Sequence, residues 1–322
     1  MARKATNFLT ESGGKIFRSV SRPALSWALA AVVVAVFVYQ FFHTARSLDW
    51  GAFAAALARP GRWRWLVVAL VLMPVNWLLE ARKWHLLLVP FLPWGYPKAL
   101  RATLAGVSLS AATPNRVGEV AGRLLLARRA EWPGVVASTL LGSLSQWVAF
   151  LVLGWPALVW TLGLSPWLSP AGLLPLLAVG LGGRPLLRWV LNGLRRRFGW
   201  EPEELRRALR GVKLTLILRA GGYACLRFGV YCTQLYALLW FFGLELPRLR
   251  GLAGIAAIYL VQAGVPLPPG VNLLARAELG ALLWGTDAAS DVAVLAAFTA
   301  LFAINVLLPA VPGYWLIVRK NQ

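Results

Sequence analysis

Long apolar segments dominate this sequence of 322 residues and restrict what it can fold into. A helix needs about 20 mainly apolar residues to cross the hydrocarbon core of a bilayer. Charged residues make up 14% of the chain, against about 25% in a typical soluble domain, so too few polar side chains exist to cover a water-soluble globule. We therefore predict an all-α, polytopic membrane helix bundle. Its crossings are expected near residues 24–42, 65–82, 134–162, 171–190, 214–243 and 292–318.

Two further apolar stretches, residues 99–129 and 252–284, are interrupted by polar turns rich in proline and glycine. The first turn reads ATPNRVGE at 112–119, and the second reads GVPLPPGVN at 264–272. Proline lacks an amide donor and disfavours helix just before it, so neither stretch should form one straight helix. Because each half is too short to cross alone, we predict two re-entrant hairpins of broken helix.

The two hairpins divide the chain into halves of opposite orientation. Each hairpin is flanked by two crossings, which gives repeat halves at about 65–162 and 214–318 within one integral membrane domain, 24–322. The hairpins are expected to enter from opposite sides of the membrane, so the arrangement is an inverted repeat. Inverted repeats with broken helices at the midplane are typical of alternating-access transporters.

Basic residues set the expected orientation of the chain in the membrane. The net charge is +21, and most of the lysine and arginine residues lie between apolar segments. With residues 1–23 in the cytoplasm, the same side receives the central basic stretch at 184–213 and the C-terminus, as the positive-inside rule requires. The central stretch is either an amphipathic helix on the membrane surface or a solvated loop. A strongly basic chain can bind nucleic acid, but no recognition motif is present, and we predict no such partner.

The strongest group of candidate site residues is in the first hairpin: Asn115, Arg116, Glu119 and Arg123. On a helix that starts near Pro114, the three charged residues share one face. Ionisable groups at membrane depth are costly and usually pair or line a watery cavity. The two arginines match the geometry of a lipid phosphate, and the helix N-terminus adds partial positive charge. The alternative is a structural ion-pair network that closes the hairpin.

The second hairpin offers Asn272, Arg276 and Glu278 as an outward-side counterpart, with an interfacial pair as the alternative. Arg276 follows Asn272 by four residues and so lies on the same helix face. Supporting candidates are the following residues near or within crossings: Glu80, Arg82, Gln146 and Arg227.

The sequence lacks the patterns that would indicate a metal, a nucleotide or covalent catalysis. Cys225 and Cys232 lie in one apolar segment without metal-ligand spacing, and we interpret them as small buried residues. There is no Walker A loop, zinc motif or nucleophile elbow. We therefore predict no cofactor, no metal and no enzymatic activity.

Four segments resemble a known family, the lysylphosphatidylglycerol synthase transmembrane-region family, whose members are also called flippase-like domain proteins. The segments are TPNRVGEVAGRLLLARR at 113–129, TLLGSLSQ at 139–146, VPLPPGVNLLARAELG at 265–280 and EARKWHLLL at 80–88. The resemblance covers the chain from about Trp27 onward and implies a multi-pass protein of the bacterial inner membrane. One departure is that Ala277 separates Arg276 from Glu278.

In two-domain members of that family, the membrane part is linked to moving aminoacylated phospholipid between leaflets, while a soluble domain transfers the aminoacyl group from charged tRNA. The sequence ends at Gln322, just after its last predicted crossing, so we expect no synthase activity.

The predicted function is that of a membrane lipid translocase, which moves a phospholipid or an aminoacylated or glycosylated lipid headgroup through a polar cavity. Arg116 and Arg123 would bind phosphate, Glu119 would orient them, and Arg276 would receive the headgroup on the other side. The expected partners are anionic or aminoacylated phospholipids, with a homo-oligomer or a membrane enzyme as a further possibility. The alternatives are a non-catalytic subunit that supports a lipid-modifying or glycan-assembly enzyme, and a membrane-embedded transferase with Glu119 as base.

Overall fold

A computed structural model describes residues 61–110, 117–175, 212–263, 269–285 and 288–319, together with the single residues 51, 54, 55, 58 and 265. The predicted crossing at 24–42 and most of the one at 171–190 lie outside the described residues. The central basic stretch up to residue 211 and the turn of the first hairpin at 111–116 also lie outside the described residues.

Helices make up the described part of the chain, and no strand occurs in it, which confirms the all-α fold. The helices of the first half are α1 (Trp63–Leu88), α2 (Tyr96–Ser110), α3 (Val117–Leu125), α4 (Trp132–Ala149) and α5 (Trp155–Thr161). Those of the second half are α6 (Leu214–Phe242), α7 (Arg248–Ala263), α8 (Pro269–Trp284), α9 (Ala288–Phe302) and α10 (Leu308–Arg319). Short 3₁₀ turns at Arg129–Glu131 and Pro166–Leu173 flank α4 and α5.

Four helical stretches are long and apolar enough to cross a membrane: Trp63–Leu88, Arg129–Thr161, Leu214–Phe242 and Ser290–Trp315. They coincide with four of the six predicted crossings, so the protein is a multi-pass membrane protein. Large apolar side chains such as Leu218 and Leu282 are mostly exposed on its outer surface, where lipid is their natural solvent. The first of these stretches extends six residues beyond the predicted end at residue 82, and the Glu80–Lys83 ion pair, at 2.7 Å, lies in this part of the helix.

The contacts between α1 and α6 give the relative direction of the first helices of the two halves. Trp65 near the start of α1 stacks on Trp240 near the end of α6, with ring centroids 5.3 Å apart. Further along α1, Glu80 contacts Arg227, at a distance of 3.3 Å, and Arg227 lies earlier in α6. The first helices of the two halves therefore run antiparallel.

Both predicted hairpin stretches are divided into two helices at the polar turn. Helices α2 and α3 have 15 and 9 residues, and α7 and α8 have 16 each, so each helix is shorter than the 20 or so residues that a crossing needs. The first helix of each hairpin packs against the far end of the opposite half. Ser108 of α2 donates a hydrogen bond to the Ala310 carbonyl of α10, 2.8 Å away.

Helices α2 and α3 approach closely because glycine lies at their contact. A Cβ atom placed on Gly122 of α3 would overlap the carbonyl group of Ala105 in α2. Small residues at helix contacts are common in membrane proteins, because backbone proximity replaces the hydrophobic driving force that lipid removes. Helix α3 therefore packs directly against the backbone of α2.

Matching π-helical segments interrupt the last crossing of each half, at Phe150–Gly154 and Ala303–Leu307. In each case a proline follows by two residues, at Pro156 and Pro309. Proline removes the amide that would bond to the carbonyl four residues earlier, and that carbonyl belongs to the middle residue of each segment. The local widening of the helix thus follows from the sequence, and its repetition indicates that the two halves are built alike.

Candidate functional site

Glu80, on α1, is the centre of a buried ion-pair network. Its side chain is 5% exposed and lies 2.7 Å from the Lys83 ammonium, 3.3 Å from Arg227 and 3.4 Å from Arg123. Lys83 is one turn further along α1, whereas Arg227 belongs to α6 and Arg123 to α3. One carboxylate therefore joins the first crossings of both halves to the first hairpin.

Arg123 is fully enclosed, with 1% of its side chain exposed. It pairs with Glu119, one turn earlier on α3, at 2.7 Å, and it donates a hydrogen bond to Thr139 of α4 at 3.1 Å. Its guanidinium carbon lies 4.3 Å from the centroid of the Trp84 ring. With two carboxylates, a hydroxyl and an aromatic face around it, this buried cation is well compensated.

Arg227 connects the network to a cavity between the two halves. Its guanidinium donates to the side-chain oxygen of Gln146 on α4, 3.1 Å away, and lies 5.5 Å from the Trp77 ring centroid. Gln146 and Trp77 both line the cavity, so these two residues contact the network on one side and the cavity on the other.

The cavity has a volume of about 400 Å³ and is lined by residues of both halves, which is within the range of about 300–1,000 Å³ typical of ligand sites. Its walls are mainly apolar and aromatic, with a few polar groups. The polar members among the described lining residues are Ser110, Ser143, Gln146, Gln262, Asn272 and Arg276.

Arg276, on α8, is the one charged side chain among the described residues that line the cavity. Its Nε and Nη2 groups donate to the side-chain oxygen of Gln262 on α7, at 2.8 and 2.6 Å. Its guanidinium carbon lies 4.6 Å from the Tyr259 ring centroid. The partners of Arg276 among the described residues are therefore neutral, in contrast to those of Arg123.

The two arginines occupy equivalent positions in the repeats. Arg123 precedes Pro156 by 33 residues, and Arg276 precedes Pro309 by the same number. One turn before each arginine stands Glu119 in the first half and Asn272 in the second. The Oδ1 atom of Asn272 is buried and has no hydrogen-bond partner among the described residues. The second half thus keeps the cation but replaces its carboxylate with an amide.

The structure brings most of the predicted site residues into these two groups. Glu80, Glu119, Arg123, Arg227 and Gln146 meet in the network, and Asn272 and Arg276 line the cavity. Arg82 is exposed and lies 5.8 Å from the Tyr96 ring, and Glu278 is exposed and is not one of the cavity-lining residues. Asn115 and Arg116 lie outside the described residues.

Sequence reasoning missed several participants, including Trp77, Lys83, Trp84, Thr139, Tyr259 and Gln262. Lys83 carried a local signal, because it stands three residues after Glu80 in an apolar helix and so faces the same way. Gln262 and Tyr259 carried none, since they lie on a different helix from Arg276 and meet it only when the hairpin folds.

Comparison with known proteins identifies the family. The chain matches the family described as "Lysylphosphatidylglycerol synthase TM region" over residues 25–313. No curated protein and no solved structure gives a match. The match includes the whole of the network and the cavity described above. The protein therefore belongs to the family of the lysylphosphatidylglycerol synthase transmembrane region.

Proposed function

We propose that this protein is a lipid translocase of the bacterial inner membrane, and that the lipid headgroup passes through the cavity while the acyl chains stay in the bilayer. The observation that carries the proposal is Arg276, a cation in a cavity between the two halves. Its partners among the described residues, Gln262 and Tyr259, are neutral. A charge held at membrane depth is costly, and such residues typically mark a substrate or ion pathway.

An anion is the ligand that this arrangement favours. A guanidinium group has five N–H donors, and Gln262 accepts from two nitrogens of Arg276, so three N–H donors remain for a ligand. Helix α8 begins at Pro269, and its N-terminus carries partial positive charge over the first turn, at the end of which Asn272 lines the cavity. Guanidinium groups and helix N-termini both bind phosphate oxygens well.

The first hairpin has a different role in this proposal. Because Glu80 and Glu119 neutralise Arg123, we assign Arg123 to holding α3 against α1 and α4 rather than to binding phosphate in this conformation. Arg116 and Asn115 are proposed to contact the headgroup from the first hairpin. Since the sequence has no nucleotide-binding motif, lipid movement is downhill or coupled to an ion gradient.

Leaflet exchange in proteoliposomes tests the proposal. The full chain is reconstituted with a fluorescent anionic phospholipid, and the fraction open to an impermeant quencher is followed over time. We expect exchange by the wild-type protein and a rate at least about tenfold lower for Arg276→Gln, because a hydrogen bond to a charged group contributes about 1.5–3 kcal/mol. Arg250→Gln is the matched control, since Arg250 is exposed on α7.

Two results would contradict the proposal. One is wild-type protein that inserts fully and yet gives no more exchange than empty liposomes. The other is an Arg276→Gln variant that inserts normally and exchanges lipid at the rate of Arg250→Gln.

A further inference from the structure

We infer that the headgroup carried by this cavity is a sugar or another polyol joined to the lipid through phosphate, and not an amine or an aminoacyl group. The inference rests on the proposed function and names the substrate class of the same site. It follows from three properties of the cavity. Its charge is positive, two of its aromatic faces are already covered by cations, and its wall offers hydrogen-bond acceptors that need donors.

The charge near the cavity is positive. No carboxylate is present among the described residues that line it, and Arg276 supplies one cation. Among the residues that the structure describes, the adjoining network holds three cations, Lys83, Arg123 and Arg227, and two carboxylates, Glu80 and Glu119. A phosphate would offset this excess, whereas an ammonium group would add to it in a medium of low dielectric constant.

Aromatic faces can bind an ammonium group, but two of them are already covered by cations. The guanidinium of Arg276 lies over Tyr259, at 4.6 Å, and that of Arg227 lies over Trp77, at 5.5 Å. An amine that approached either ring would meet a guanidinium group of the same charge. These two aromatic faces are therefore already occupied by cations and are not open to an alkylammonium ligand.

The rest of the wall fits a hydroxylated ring. Trp147 and Tyr231 present aromatic surface against which the C–H face of a sugar or polyol can pack. Ser110 donates its hydroxyl to the Gly106 carbonyl at 2.6 Å, so its oxygen still accepts. Asn272 has a buried side-chain oxygen with no partner among the described residues. Such acceptors require donors, and hydroxyl groups supply them without adding charge.

A comparison of headgroups tests the inference. The purified full chain, in neutral detergent, is titrated with dihexanoyl lipids that differ only in the headgroup: phosphatidylinositol, phosphatidylethanolamine and lysyl-phosphatidylglycerol. Binding is read from the saturable rise in the midpoint of thermal unfolding. We expect phosphatidylinositol to bind at least about tenfold more tightly than the other two.

A variant then removes the net positive charge of the cavity lining. Asn272→Asp places a carboxylate one turn before Arg276, as Glu119 stands before Arg123, so we expect at least about tenfold weaker phosphatidylinositol binding and a smaller preference over lysyl-phosphatidylglycerol. Arg250→Gln serves again as the control and should keep the wild-type preference. The wild-type comparison needs no variant, so the test holds even if Asn272→Asp does not fold.

The outcomes separate this inference from the proposed function. Equal or tighter binding of lysyl-phosphatidylglycerol, or leaflet exchange of all three headgroups at equal rates, overturns the choice of headgroup and leaves the translocase intact. No saturable binding and no exchange of any of the three overturns both.

Discussion

Glu80 is predicted to be the residue on which the stability of the bundle depends most strongly. Replacing it with Gln keeps the size of the side chain and removes the charge that Lys83, Arg123 and Arg227 share, at 2.7–3.4 Å. Breaking a buried ion pair by removing one partner costs about 3–5 kcal/mol, because a charge is left uncompensated away from water. With three cations around one carboxylate, we expect Glu80→Gln to lower the free energy of unfolding by about that amount.

A matched control is available at the membrane surface. Glu245 pairs with Arg62 at 3.4 Å, the same distance as Glu80 to Arg123, but its side chain is 54% exposed. Exposed pairs contribute about 0–1 kcal/mol, so Glu245→Gln should change stability little. Both variants are unfolded by a denaturing detergent in mixed micelles and followed by circular dichroism. Equal unfolding free energies for Glu80→Gln and Glu245→Gln would refute the argument that burial makes this network essential.

Two smaller predictions concern packing and a buried amide pair. Gly122→Ala should destabilise the protein by about 1–3 kcal/mol, because the new methyl group overlaps the Ala105 carbonyl; Gly222→Ala, where the space is open, should be neutral or stabilising by up to about 1 kcal/mol. Similar unfolding midpoints for the two glycine variants would argue against close packing of α3. Asn76 donates to Asn305 at 2.8 Å, and a double-mutant cycle with Ala at both positions should give a coupling free energy of about 0.6–1.7 kcal/mol, as for other hydrogen bonds within membranes. A coupling of zero would mean that the pair does not form.

Much of the fold could be predicted because its determinants are local. Apolar segment length predicted the four crossings that the structure describes, and the prolines and glycines around residues 112–119 and 264–272 predicted where the two hairpin stretches divide. Pro156 and Pro309 also carry a local signal, because each removes one backbone donor and lies two residues after a π-helical segment.

The site was less predictable because its contacts join distant parts of the chain. Glu80 and Arg82 looked alike as charged residues near a helix end, yet helical phase places Glu80 on the buried face with Asn76 and Lys83 and leaves Arg82 exposed. The contact of Glu80 with Arg227 requires α1 and α6 to be neighbours in the bundle, which no spacing in the sequence reveals. Likewise, the neutral partner Gln262 of Arg276 emerges only from the folded hairpin.

The most direct measurement of the central claim is an experimental density map of the full chain in lipid nanodiscs. We predict density for a lipid headgroup in the cavity, with phosphate oxygens at hydrogen-bonding distance, about 3 Å, from the Arg276 guanidinium. A cavity filled by side chains or acyl chains alone, with Arg276 paired to a carboxylate of the protein, would contradict it.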